Sequence, residues 1–145
     1  MNSYQALSER HQQEINAFPM KWGFGDEQIA QGMRELGLDP TDTEQVIGIG
    51  AGGFIRKSDK QAFINMLKRH RAERESAKAV DVDGTGYIYE MFDYELANHE
   101  YVYTQRLDET LGALGMTIEE IYADARLTRG LKDAIRNQKD ALDGE

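Results

Sequence analysis

Apolar residues recur at three- and four-residue intervals through most of this chain, in runs opened by a capping residue or closed by glycine or proline. Nothing else constrains the fold as strongly, because that spacing selects amphipathic helices. Ser3 opens the first run, Tyr4, Leu7, His11, Ile15 and Phe18 form its stripe, and Pro19 ends it. Asp26 caps a second, with Ile29, Met33 and Leu36 on one face and Gly37 as the stop. Ser58 with Gln61 forms a capping box ahead of the longest helix, to about Ala79, whose stripe is Phe63, Met66, Leu67 and His70. Tyr87 to about His99 carries Ile88, Met91, Phe92 and Leu96 at helical spacing. A short helix from Asp108 ends at Gly115, Thr117 with Glu120 opens another, and the last runs from about Thr128 to Leu142.

Strand signals are confined to the first third. Met20–Phe24 alternates, Gln45–Gly50 is a short apolar run, and Gly53–Arg56 follows it across a glycine cluster as a hairpin. The expected fold is α+β: a mostly helical single domain, residues 1–145, with a small N-terminal β-sheet built on that hairpin. A length of 145 residues suits one domain.

With 26 acids against 17 bases the formal charge is −9, and the charge is segregated. Residues 56–78 carry eight bases and three acids, whereas residues 79–125 carry eleven acids and one base. The surplus opposes direct binding to nucleic acid or anionic lipid. The absence of cysteine removes disulfides, thiolate nucleophiles and Cys-ligated metals. No apolar run approaches the roughly 20 residues of a membrane helix, and Met1–Gln5 does not open a signal peptide. The expected compartment is the cytoplasm.

Three short motifs resemble chemistry. Gly48, Gly50 and Gly53 satisfy G-x-G-x-x-G, but Phe54–Lys57 is strand-like where a phosphate-binding helix should begin, so a hairpin turn explains the same letters. Asp81-Val82-Asp83-Gly84-Thr85 matches the D-x-D-G-T of haloacid-dehalogenase-type phosphohydrolases, yet it follows a charged helix rather than a buried strand. Read as a calcium loop, Asp81, Asp83 and Thr85 take positions one, three and five, but position twelve is Phe92 instead of a bidentate Glu. Weak calcium binding there is the only cofactor expectation. No nucleophile–base constellation stands out, and the chain is expected not to be an enzyme.

The acidic middle is also rich in tyrosine. Tyr87, Tyr89, Phe92, Tyr94, Tyr101 and Tyr103 are interleaved with acids, and exposed tyrosine beside carboxylate is a composition that protein-binding surfaces use. The residues expected to meet a partner are Glu90, Asp93, Tyr94, Glu95, Glu100 and Tyr101. Core packing of the tyrosines, and neutralisation of the acids by the basic helix, are the competing expectations.

Tyr87–Tyr101 and Leu114–Ile121, together with Phe18-Pro19-Met20, Asp26-Glu27-Gln28, Gly32-Met33, Gly52-Gly53-Phe54 and Lys57-Ser58-Asp59, resemble a family of small uncharacterised proteins from phages and conjugative elements of gut bacteria. The resemblance supplies no catalytic residue. It implies the company of host takeover, conjugation or counter-defence. The resulting expectation is a non-enzymatic acidic interaction protein of a mobile element that binds a host or defence protein, an anti-CRISPR-like inhibitor being one form. The alternative is a weak divalent-cation module of degenerate EF-hand type.

Overall fold

The glycine cluster closes a hairpin. In the computed structural model, which describes residues 2–144, strand β2 (Val46–Gly50) turns through Ala51 and Gly52 into β3 (Gly53–Arg56). Both turn residues have positive φ, 52° and 78°, the geometry that matches strand twist and that glycine adopts without steric cost. β1 (Met20–Trp22) pairs with the other edge of β3, giving an antiparallel sheet of order β1-β3-β2. The register sets Met20 opposite Ile55 and Trp22 opposite Gly53.

Contacts divide the chain into two units, His11–Ala72 and Met1–Arg10 with Glu73–Glu145, called here the sheet unit and the acidic unit. Helices α1 (Ser3–Ala17) and α3 (Lys60–Ala79) each contribute one end to either unit.

In the sheet unit, α2 (Asp26–Glu35) lays Met33 and Leu36 against Phe54 of the central strand. The approach is close because Gly32 has no side chain: a Cβ there would lie 2.6 Å from the Phe54 ring. Phe18 and Phe63 meet edge-to-face with centroids 5.4 Å apart. In the acidic unit, α4 (Tyr87–Asn98) packs along α8 (Ala125–Asp143), with α5 (Tyr101–Thr104), α6 (Asp108–Leu114) and α7 (Ile118–Tyr122) around them. Its core holds Ile88, Met91, Phe92, Leu96, Tyr101, Ile121, Leu131 and Ala134.

The fold is α+β and mostly helical, as expected. Several boundaries differ. β1 stops at Trp22, the last residue in register with β3; the Gly23 amide still donates to the Gly52 carbonyl at 2.9 Å, and Phe24 lies beyond the pairing. Gly25, not Asp26, is the N-cap of α2, and Asp26 sits in the first turn. A 3₁₀ turn, Lys57–Asp59, precedes α3, with Asp59 accepting from Arg56 Nε at 2.7 Å. α8 starts at Ala125 rather than Thr128, because the Asp124 side chain caps it by accepting from the Arg126 amide at 2.9 Å.

Candidate functional site

Helix α4 carries most of the residues expected to meet a partner, and its amphipathic stripe decides which of them are free. Glu95 falls on the inward side and is only 7% exposed. Its carboxylate accepts from the Tyr4 hydroxyl at 3.0 Å, and its backbone carbonyl lies 2.9 Å from His99 Nδ1. Burial, reinforced by the Glu95 charge, pushes the Tyr4 hydroxyl well above the usual tyrosine range. Tyr101 is buried in the core. Asp93 accepts amide hydrogens from Asn137 at 2.9 Å and Gln138 at 2.8 Å, which tie α4 to α8. Tyr94 is half-buried, its ring 5.7 Å from that of Tyr4. The Glu90 carboxylate takes the Ser3 backbone N–H, while its carbonyl accepts from Asn2 Nδ2 at 2.8 Å. Of the six, Glu100 alone is fully exposed, in left-handed backbone with φ 54°.

The acids that do face solvent lie further along the chain. Asp108 and Glu109 occupy the first turn of α6, Glu119 and Glu120 the first turn of α7, and all four are exposed. Carboxylates favour a helix N-terminus, where backbone N–H groups point outward, so the starts of these short helices place acids in pairs at the surface. Tyr103 and Tyr122 stand beside them in sequence at 72% and 66% exposure. The expected set omitted these six residues. Helices of four to seven residues are too short for periodicity to separate an inner from an outer face.

The division into units sharpens the charge pattern. The sheet unit has eight acids and eight bases; the acidic unit has 18 acids against nine bases, and therefore the whole surplus of nine. On the basic helix, Arg69 pairs with Glu14 and Lys78 with Glu75, partners that both lie outside residues 79–125.

The 81–86 loop is a structural clamp. Asp81 Oδ1 accepts from the Gly84 amide at 3.1 Å, and Oδ2 from the Gly86 and Ile88 amides at 3.0 and 2.9 Å. One carboxylate thus caps the start of α4 and staples the loop before it. Arg126 Nη1 donates to the Lys78 and Asp81 carbonyls at 2.8 and 3.1 Å, holding the loop to α8. Asp83 and Thr85 are exposed. Among the described residues no group of three or more His, Asp or Glu side chains is arranged to hold a metal ion.

In the sheet unit the structure joins two residues that the sequence placed on separate stripes. His11 of α1 and His70 of α3 are both buried, and their rings stack at 3.9 Å. His70 Nε2 faces Glu14 Oε2 at 3.4 Å, while Arg69 Nη1 donates to Glu14 Oε1 at 3.0 Å. The Arg69 hydrogen bond, with help from His70, lowers the Glu14 carboxyl from 4.5 to about 2.

Among the described residues no helix is long and apolar enough to cross a membrane. No curated protein and no solved structure matches the chain. A family model does match, over residues 3–137 and so through both units, and the chain belongs to that family of unknown function, DUF7659.

Proposed function

We propose that this chain is a non-enzymatic binding protein of a mobile genetic element, presenting a carboxylate- and tyrosine-bearing surface to the basic, nucleic-acid-binding face of a host or defence protein. The observation that carries this reading is the charge division: the sheet unit is neutral and the acidic unit holds the entire surplus of nine. The contact residues are Glu100, Asp108, Glu109, Glu119 and Glu120 with Tyr103 and Tyr122, all exposed. Glu95 and Tyr101, buried, shape the surface from within, and Glu90, Asp93 and Tyr94 fix α4 to its neighbours.

Exposed carboxylates at the ends of short helices offer a partner fixed negative charge in place of phosphate, and the tyrosines add apolar area at small entropic cost. Such a protein blocks access of nucleic acid to its target without chemistry of its own. Inhibition of a CRISPR nuclease is one form this takes. The test is capture from host lysate on the immobilised chain, followed by elution with duplex DNA. The reading expects a captured protein that DNA displaces and that rising salt releases. A partner retained against both contradicts it.

A further inference from the structure

The two most exposed large aromatics of the sheet unit stand together on the floor that the glycine run provides. Trp22, the last residue of β1, is 56% exposed, and Phe24, two residues on, is 82% exposed. Leaving two large rings in water is costly, and contiguous exposed apolar surface marks contact sites. Neither ring is loosely placed. A Cβ on Gly52 would lie 2.6 Å from the Phe24 ring, and one on Gly53 would lie 3.0 Å from Trp22 Nε1, so both rings rest on bare glycine backbone. The segment between them is pinned: the Gly23 amide donates to the Gly52 carbonyl at 2.9 Å, and the Phe24 amide to Gln28 Oε1 at 3.0 Å. Of the G-x-G-x-x-G glycines only Gly53 lies under an aromatic; Phe24 rests on Gly52, which occupies one of the variable positions of the motif.

Between these rings and α2 lies a cavity of about 570 Å³, lined by Lys21, Trp22, Phe24, Glu27, Gln28 and Glu35 among others. That volume is within the range of ligand pockets. Its charge is lopsided. Lys21 is paired with Glu35 at 3.0 Å, whereas Glu27 makes no ion pair among the described residues. Two exposed aromatic side chains lining a pocket with one uncompensated carboxylate suit a cation carried on an apolar stem, through cation–π attraction and charge pairing.

We propose that this pocket receives an arginine or lysine side chain of a partner protein, with an adjoining apolar residue of that partner on Phe24. The inference is independent of the acidic-unit reading, since all its residues belong to the sheet unit.

Trp22 is the only tryptophan in the chain, so its fluorescence reports on this pocket alone. The experiment titrates the intact protein with an N-acetylated, C-amidated arginine–leucine dipeptide, and in parallel with the uncharged citrulline–leucine analogue. The expected result is a saturable change in Trp22 emission with the arginine peptide, and binding about three- to tenfold weaker for the citrulline peptide. Glu27→Gln should remove most of that difference, and Phe24→Ser should weaken both peptides. Both substituted side chains are exposed, so circular dichroism should show an unchanged fold. Three outcomes would overturn the proposal: no saturable change below about 10 mM peptide, equal binding of both peptides, or an emission change that follows protein concentration alone, which would assign the pocket to a second copy of the chain.

Discussion

His11 and His70 stack face to face inside the sheet unit, with ring centroids 3.9 Å apart and planes inclined by 15°. Glu14 lies one helical turn from His11 on α1, against the edge of the His70 ring, and Arg69 holds it there. The contact of α1 and α3 is therefore polar here, and the Glu14 carboxylate is tuned by a guanidinium.

That tuning predicts an acid response. The Glu14 carboxyl lies at about 2 in the folded chain against an ordinary 4.5, a depressed value. Its contribution to stability is fully present above about 4.5 and is lost as pH falls through about 2. Urea unfolding followed from about pH 5 to about pH 2 should show a shallower decline for Glu14→Gln than for the wild type. Parallel declines would show that Glu14 carries none of the acid sensitivity.

The 81–86 clamp predicts a stability role for the first aspartate of the D-x-D-G-T run. Asp81→Ala strips three amides of their acceptor and should cost about 2 kcal/mol. Asp81→Asn, which keeps one carbonyl acceptor, should cost less. Denaturant melts with calcium and with chelator should give the same loss for Asp81→Ala. A loss seen only with calcium would return this loop to the metal-binding reading.

Two glycines that look alike in sequence should respond in opposite directions. Gly84 has φ +77°, and a Cβ there would meet the Arg126 carbonyl oxygen at 2.2 Å, so Gly84→Ala should cost more than about 2 kcal/mol. Gly112, inside α6, has open space around it, and Gly112→Ala should stabilise by about 0.5–1 kcal/mol. Thermal unfolding of the two variants settles both signs.

Tyr4 and Glu95 meet across 91 positions, and the hydroxyl is a donor that the buried carboxylate needs. Tyr4→Phe leaves the ring and removes the donor, which should cost about 1–2 kcal/mol in chemical unfolding. An unchanged midpoint would mean that the Glu95 carboxylate, 3.6 Å from His99 Nδ1, draws no stability from the tyrosine donor.

These residues show what could be read from sequence. The helical stripes were legible because burial repeats every 3.6 residues, and Met33, Leu36, Phe92 and Leu96 are all buried where the spacing puts them. One of the two capping boxes forms: Thr117 Oγ1 accepts from the Glu120 amide at 3.2 Å, whereas Ser58 lies inside a 3₁₀ turn and Gln61 donates to Asn65 instead. Glu95 was misleading because composition marks a carboxylate as surface, and only a tyrosine from the far end of the chain explains its burial. The His11–His70 stack was illegible for the same reason: each lies on its own helix stripe, and no local pattern says which stripes meet. Asp81 was read through its resemblance to catalytic and metal loops, while its use as a cap depends on where α4 starts.

The most direct test of the central claim compares two charge-reversed chains with the wild type in capture of the DNA-displaceable partner. One carries Glu100→Lys, Glu109→Lys and Glu119→Lys in the acidic unit; the other carries Asp26→Lys, Asp39→Lys and Glu44→Lys in the sheet unit, leaving Glu27 and Glu35 untouched. All six acids are exposed, and the two variants have equal net charge. The acidic-unit variant should lose capture while the sheet-unit variant keeps it. Undiminished capture by the first, or equal loss in both, would contradict an acidic-unit binding surface.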